Sequence, residues 1–388
     1  MTDGFYHQSF VVPFDYPVVF TRNLFDPANR AFVDVANRLA EPRAHRAIVF
    51  IDSGVAQHHA ELPQQIQKYF TAHPRELELV TPPCVVPGGE VIKKDLVRME
   101  DLIRQFLDLR LCRHSIVVAI GGGAVLDAIG FATALFHRGL RLIRVPTTVL
   151  AQNDVAVGVK NAMNFDGGKN LIGTFSPPFA VLNDFNFLRT LPDPIWISGI
   201  AEAFKVAIIQ NAKFFQELCC DATKLRGRDE AAMERLIRRC AELHLEHIRT
   251  SGDPFEYGRA RPLDFGHWSA HKLETMSGYR IDHGHAVAIG IAIDSCYAAR
   301  QGWITDKEFQ AICKGLADSG FALWDLLLEQ KAETGKLEIL DGLKNFQEHL
   351  GGELYLTFPK GIGRKFEVQE VREELVEQSI RQLKSMRS

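Results

Sequence analysis

The stretch SIVVAIGGGAVLDAIGFATALF (115–136) constrains the fold more than any other part of the chain. An unbroken run of β-branched and apolar residues meets three glycines, and apolar residues at helical spacing follow. That pattern reads as a buried strand, a tight turn and a helix. RAIVFID (46–52) and LRLIRVPTT (140–148) share the same continuous apolar texture. EVIKKDLVRMEDLIRQFLDL (90–109) and VLDAIGFATALF (125–136) read as the helices between them. Strands buried on both faces need helices above and below, which predicts a Rossmann-like α/β domain with a parallel sheet.

From about residue 187 the texture changes. DEAAMERLIRRCAELHLEHIR and HAVAIGIAIDSCYAARQG carry helical spacing, and strand-like runs nearly vanish until ELYLTF (353–358). The expected plan is an α/β domain over 1–186 and a mostly α-helical domain over 187–388, with SPPFAVLND as a hinge and a cleft between them. A length of 388 residues with 46% hydrophobic content is enough for two cores. The net charge of −3 gives no reason to expect nucleic acid or an anionic membrane surface. No apolar run reaches the ~18 residues of a spanning helix, and MTDGFYHQSF lacks the plan of a signal peptide. The seven cysteines are scattered and never spaced CxxC. These features together predict a reduced, cytoplasmic protein that acts on a small molecule.

Three segments carry chemistry. Gly121, Gly122 and Gly123 stand at a strand–helix junction, where backbone N–H groups can approach a pyrophosphate at a helix N-terminus. Asp127 follows on that helix, and Asp52 at an earlier strand end is placed to accept a ribose hydroxyl. The segment is not GxGxxG, so an ordinary dinucleotide fingerprint is not implied. VPTTVLAQNDVAVGVKNAMNFDGGKNLIGTF (145–175) holds Thr147, Thr148, Asp154, Lys160, Lys169 and Asn170 among small apolar residues, which suggests a buried polar loop. Lys160, Lys169 and Asn170 are donors suited to a phosphate monoester.

The third segment, DFGHWSAHKLETMSGYRIDHGH (264–285), contains four of the chain's 14 histidines. His267 and His271 are four residues apart and would share a helix face. Either both bind a metal, or only one does, together with His283 from the next helix. Catalytic zinc usually keeps three protein ligands and an open position. Glu202, an acid inside the apolar pattern GIAEAFKVAII with Lys205 one turn on, is a candidate third ligand.

Taken in order, the glycine turn, PTT…D…K…GKNLIGTF…AVLND…FLRTLP, GIAEAFK, FGHWSAH and HGHAVAIG resemble 3-dehydroquinate synthases and related sugar-phosphate cyclases over about residues 46–295. The resemblance implies an NAD-binding α/β domain, a helical metal-binding domain and a homodimer. It implies Glu202, His267 and His283 as ligands of zinc or cobalt, with His271 on the substrate side. NAD contacts would fall on Asp52, Glu90, Lys93, Gly122, Gly123, Asp127, Thr147 and Thr148, with Asp154 and Lys169 near the nicotinamide. Lys160, Asn170 and Lys205 match substrate-binding positions, and Arg138 matches an arginine that reaches the neighbouring subunit's phosphate site. The implied chemistry oxidises a hydroxyl with NAD, expels phosphate by β-elimination, returns the hydride and closes a carbocycle by aldol addition.

Departures from the family pattern cluster on the substrate. Dehydroquinate synthases hold a substrate carboxylate with RxxLNxGH, whereas ARPLDFGH places Ala260 and Asp264 at those two positions. Arg261 is one residue out of register, and a family lysine falls on Glu246. Two like charges at ~4 Å cost roughly 1–4 kcal/mol at partly solvated sites, so a carboxylate substrate is disfavoured. A neutral ketose phosphate such as sedoheptulose 7-phosphate is the expected substrate, with the dehydroquinate reaction as the alternative. The late family motif DKK is replaced by FQEH (346–349), with Lys344 as a possible substitute. An iron-type alcohol or glycerol dehydrogenase, and a non-catalytic binding protein, are the other readings of this plan.

Overall fold

The computed structural model describes residues 5–166, 168–258, 262–349 and 353–387. Its first half contains β1 (Val18–Thr21), β2 (His45–Asp52), β3 (Leu77–Leu79), β4 (Cys84–Val86), β5 (Ile116–Gly121), β6 (Arg141–Pro146), β7 (Lys160–Phe165), β8 (Gly168–Phe175) and β9 (Ala180–Asp184). The helices of this half are α1 (Ala31–Ala36), α2 (Ser53–His58), α3 (Leu62–Ala72), α4 (Leu96–Asp108) and α5 (Gly123–Leu135). The parallel sheet runs β1-β9-β6-β5-β2-β3, with β4 also paired to β2.

Alternate residues of β2 feed two cores, as the two-residue period of a strand requires. Val49 and Ile51 pack with Phe32 and Val33 of α1 and Tyr69 of α3. Ile48 and Phe50 pack with Phe106 of α4 and Leu126 and Ile129 of α5. Burial on both faces explains the continuous apolar runs in the sequence. Because β3 and β4 lie on one side of β2 and β5 on the other, the chain reverses its lateral direction there. Such a reversal opens a crevice at the C-terminal strand ends.

The second half is helical: α6 (Asp193–Ser198), α7 (Ile200–Gln210), α8 (Ala212–Arg226), α9 (Glu230–Thr250), α10 (His267–Met276), α11 (His283–Arg300), α12 (Asp306–Asp318), α13 (Asp341–His349) and α14 (Glu373–Ser385). A hairpin of β10 (Leu356–Pro359) and β11 (Lys365–Val368) completes it. Helices α7 and α11 form the middle of one core, and α7 is buried from Ile200 to Ile209 without a break. Each fully buried large apolar side chain contributes about 1.5–3 kcal/mol. Ile200, Phe204, Ile208 and Ile209 thereby hold a helix that also buries Glu202 and Lys205. Helices α10 and α11 meet at two glycines. A Cβ on Gly290 would lie 2.0 Å from the Gly266 carbonyl oxygen, and Gly266 itself has φ 77°. Among the described residues no helix is long and apolar enough to cross a membrane.

Three local expectations need correction. The helix expected over 90–109 is a 3-10 turn (Gly89–Lys93) followed by α4, because Asp95 caps the new helix by accepting from the Val97 N–H. SPPFAVLND is no hinge: Ala180–Asp184 is a fully buried strand between β1 and β6. The expected polar loop is a π-helical turn (Ala151–Val155) and the β7–β8 hairpin, whose β8 strand is largely exposed rather than buried.

Candidate active site

Glu202 sits in the first turn of α7, with no solvent exposure. Its Oε1 lies 3.4 Å from His267 Nε2 at the start of α10 and 3.3 Å from His283 Nε2 at the start of α11. Oε1 receives no well-directed hydrogen bond, whereas Oε2 is held by the Lys205 ammonium. The two imidazoles are oriented from behind. His267 Nδ1 lies 3.0 Å from the Phe265 carbonyl, and His283 Nδ1 lies 3.1 Å from Glu274 Oε2. When Nδ1 carries the proton, Nε2 turns a lone pair toward a carboxylate oxygen, a repulsive encounter that a cation between them would relieve. Tetrahedral zinc bonds of roughly 2.0–2.2 Å give ligand–ligand edges of roughly 3.3–3.6 Å, and the observed spacings match. The donor set therefore fits a divalent metal.

His283 also belongs to a second group, in which His271, Glu274 and His283 lie within 4.8 Å of one another. Glu274 is already satisfied by Lys169, at 2.5 Å, and by His283. The unsatisfied Glu202 side of His283 is thus the better cation position. His271 lies one turn beyond His267, exposed, with its ring stacked 5.8 Å from that of His283. His285, the fourth histidine, is outside the cluster and pairs with Asp282, the cap of α11.

Lys205 contacts Glu202 one turn further along α7. Burial alone would lower its pKa, but the Glu202 and Asp154 carboxylates reverse this and Asp264 adds to them, so the ammonium is strongly favoured. Asp154, on the π-helical turn, pairs with His244 Nδ1 at 2.9 Å. Burial would raise the Asp154 carboxyl, yet Lys205 and His244 hold it below its ordinary value. The turn is anchored by Arg144, a buried guanidinium on β6. It donates to the carbonyls of Ala156 (3.0 Å), Gly158 (2.7 Å) and Lys160 (3.0 Å) and to Asn161 Oδ1 (2.7 Å). Burial pushes Arg144 down to about 10.

At the crevice, Asp52 ends β2 and accepts from the Gly54 N–H at 2.7 Å. A Cβ on Gly88 would fall 2.3 Å from its Oδ1, so the Gly88 backbone lies against the carboxylate. Gly122 and Gly123 open α5, and Thr147 N–H donates to the Gly121 carbonyl at 3.0 Å, which brings Thr147 and Thr148 beside the glycine turn. Buried Lys93 donates to Asp127 at 2.8 Å and contacts Asn170, while Glu90 accepts from Asn164 at 3.0 Å. Burial pulls Lys93 down, but Asp127 and Glu90 outweigh it and keep it charged.

The other candidate residues are paired with protein groups or exposed. Lys160, Lys169 and Asn170 each face a separate protein partner. Lys160 pairs with Glu256 at 2.5 Å, Lys169 with Glu274, and Asn170 with Lys93. Arg138 is exposed at the far end of α5, about 20 Å of helix from Gly123. Glu246 is exposed and paired with Arg249 three residues on, so it adds no charge to a substrate clamp. Lys344 is exposed and reaches Asp341 on its own helix. Ala260 and Arg261 lie outside the described residues. The sequence reading missed Glu274, His244, Glu256 and Arg144. Of these Glu274 had a usable signal, standing seven residues after His267 and so on the same helix face.

Residues 83–198 match the 3-dehydroquinate synthase N-terminal family, and residues 199–338 match the 3-dehydroquinate synthase C-terminal family. The 3-dehydroquinate synthase of Shewanella frigidimarina is 33% identical over 318 residues, which cover 82% of this chain and 85% of that protein. The 2-epi-5-epi-valiolone synthase ValA of Streptomyces hygroscopicus, solved with NAD+ and Zn2+ bound, superposes with a TM-score of 0.86. It is 25% identical, with 98% of this chain and 100% of that chain covered. A 2-deoxy-scyllo-inosose synthase complexed with carbaglucose-6-phosphate, NAD+ and Co2+ gives a TM-score of 0.76 at 24% identity, covering 94% and 96%.

Proposed function

The chain belongs to the 3-dehydroquinate synthase family, and from that premise we propose that it is an NAD- and divalent-metal-dependent sugar-phosphate cyclase acting on a ketose phosphate without a carboxylate, such as sedoheptulose 7-phosphate. The overall conversion is loss of inorganic phosphate and closure of the open chain to a six-membered carbocycle. The observation that carries this reading is the approach of His267 and His283 to one unsatisfied oxygen of buried Glu202, beside the C-terminal end of a parallel sheet. In our reading residues 1–186 bind the dinucleotide, residues 187–388 hold the metal, and two copies form the working enzyme.

Glu202, His267 and His283 would hold zinc or cobalt, while Asp52, Glu90, Lys93, Gly122, Gly123, Asp127, Thr147, Thr148 and Lys169 would hold NAD. Bound there, the metal would polarise a substrate hydroxyl and NAD would take up and later return a hydride. The chain's own groups then have distinct tasks. Lys205, kept protonated by its carboxylate neighbours, donates to a substrate hydroxyl at the metal side of the pocket. Asp154, kept ionised by Lys205 and His244, accepts from a hydroxyl and orients it toward the nucleotide crevice. His271, exposed at the edge of the cluster, takes or gives a proton as phosphate leaves. Lys160 and Asn170 exchange their present partners for phosphate oxygens, and Arg138 reaches the phosphate of a second copy.

Asp264 supports the choice of substrate. It is partly buried and close enough to Lys205 to help keep it charged. A carboxylate there accepts from hydroxyls and repels a carboxylate substrate. The likeness to ValA, a 2-epi-5-epi-valiolone synthase, fits this reading.

The test is incubation of NAD- and zinc-loaded protein with sedoheptulose 7-phosphate, the 3-deoxy-heptulosonate phosphate and simple polyols. Phosphate release, NADH absorbance and NMR of the product are followed. Phosphate and a carbocycle from the first substrate, with no net NADH, are expected. Prompt turnover of the second would return the substrate to the dehydroquinate reaction, and steady NADH from a polyol would make the protein a dehydrogenase.

A further inference from the structure

The carboxylate of Glu274 is buried, and each of its oxygens takes one donor. Oε1 lies 2.5 Å from Lys169 Nζ, and Oε2 lies 3.1 Å from His283 Nδ1. These donors come from different layers of the molecule. His283 opens α11 in the helical half, whereas Lys169 is on β8, which belongs to the α/β half. Next to Lys169, Asn170 has φ 56° at the bulged end of the hairpin and presents its amide oxygen to Lys93, which in turn holds Asp127 of α5. One continuous chain of hydrogen bonds therefore runs from His283 through Glu274 and Lys169 into the hairpin, and from its neighbour Asn170 toward the crevice.

The hairpin has a second ionic link to the helical half, from Lys160 to Glu256, but the Lys160 side chain is 53% exposed. The Lys169 and Glu274 side chains are 14% and 4% exposed, so theirs is the link shielded from solvent. A carboxylate behind a metal-bound imidazole fixes its orientation, and a cation on Nε2 makes the opposite N–H a stronger donor. Strengthening that bond fixes the carboxylate whose other oxygen holds Lys169.

We infer that Glu274 is a positioning residue that locks metal-ligating His283 to the β7–β8 hairpin, so that filling the metal site stiffens residues 160–175. The inference rests on the metal assignment made above and adds to it a mechanical connection between metal and hairpin. Glu274→Gln is the direct probe, because an amide has one acceptor oxygen where two donors arrive.

Zinc affinity is measured by chelator competition, and amide hydrogen exchange is followed across residues 160–175 with and without saturating zinc. In the unaltered protein zinc slows hairpin exchange. Glu274→Gln binds zinc about 10–100-fold more weakly, and its hairpin ignores zinc even at saturation. Lys169→Met keeps the zinc affinity of the unaltered protein but loses the hairpin response, which separates the two arms of the link from general misfolding. A Glu274→Gln protein with unchanged zinc affinity, or with a hairpin that still responds, overturns the inference. His283→Ala serves as the control for the premise: if it too keeps zinc, the metal assignment fails; if it alone loses zinc, only the role of Glu274 does.

Discussion

Asp294 accepts the indole N–H of Trp268 at 2.8 Å through one oxygen and the backbone N–H of Gly266 at 3.0 Å through the other. The carboxyl thus grips the chain on both sides of His267. Burial pushes its pKa up to about 7, against the effect of those two hydrogen bonds. A carboxyl raised in the folded state binds a proton there that the unfolded chain has already released. Stability should fall as pH rises from about 4 to 7, by up to about 1.4 kcal/mol per pH unit, and level off above. Asp294→Asn should flatten that slope, which urea titrations across this pH range would show.

His267→Ala and His283→Ala should each lose metal, because two remaining ligands rarely retain zinc at useful affinity. Metal analysis after gel filtration checks this. Stoichiometric zinc in either variant would remove Glu202, His267 and His283 from the role given to them.

Arg144 carries a charge into a solvent-free position and satisfies backbone carbonyls from 156 to 160. Arg144→Met leaves those carbonyls without donors and should destabilise the protein by about 1–3 kcal/mol for each carbonyl left buried and unpaired. Since Asp154 rides on the same turn, the surviving folded fraction should also turn over more slowly. Denaturant midpoints and single-turnover rates separate the two effects.

Asp264→Asn should shift preference toward a carboxylate-bearing sugar phosphate with little change in melting temperature. Competition between the two heptulose substrates reads this out. Unchanged preference would detach Asp264 from substrate choice.

A methyl at Gly88 would collide with the Asp52 carboxylate at 2.3 Å. Gly88→Ala should weaken NAD binding at least ~10-fold, equivalent to about 1.4 kcal/mol, while zinc binding is unaffected. Protein fluorescence quenching by NADH measures the first and chelator competition the second.

The buried strands β2, β5 and β6 were legible because burial on both faces leaves unbroken apolar runs. Glu202 stood out because an acid amid ALA- and ILE-type neighbours needs a partner. What sequence concealed was pairing. Nothing local announces that Lys169 will meet Glu274, or Asp154 meet His244, since those contacts are set by how distant helices pack. The same holds for Glu246, whose charge seemed directed at a substrate until α9 turned it toward Arg249 and solvent. The β7–β8 hairpin was obscured because half its residues face solvent and its register shifts between Met163 and Phe165.

Where α10 crosses α11, Gly266 and Gly290 leave no room for one more carbon. That crossing acts as a gauge block for the spacing of the two imidazoles. Asp264 lies on the short turn just ahead of it, outside the gauged length. On the function proposed above, exchanging a single side chain on that turn would change which sugar is accepted with no re-tooling of the three-residue cluster behind it.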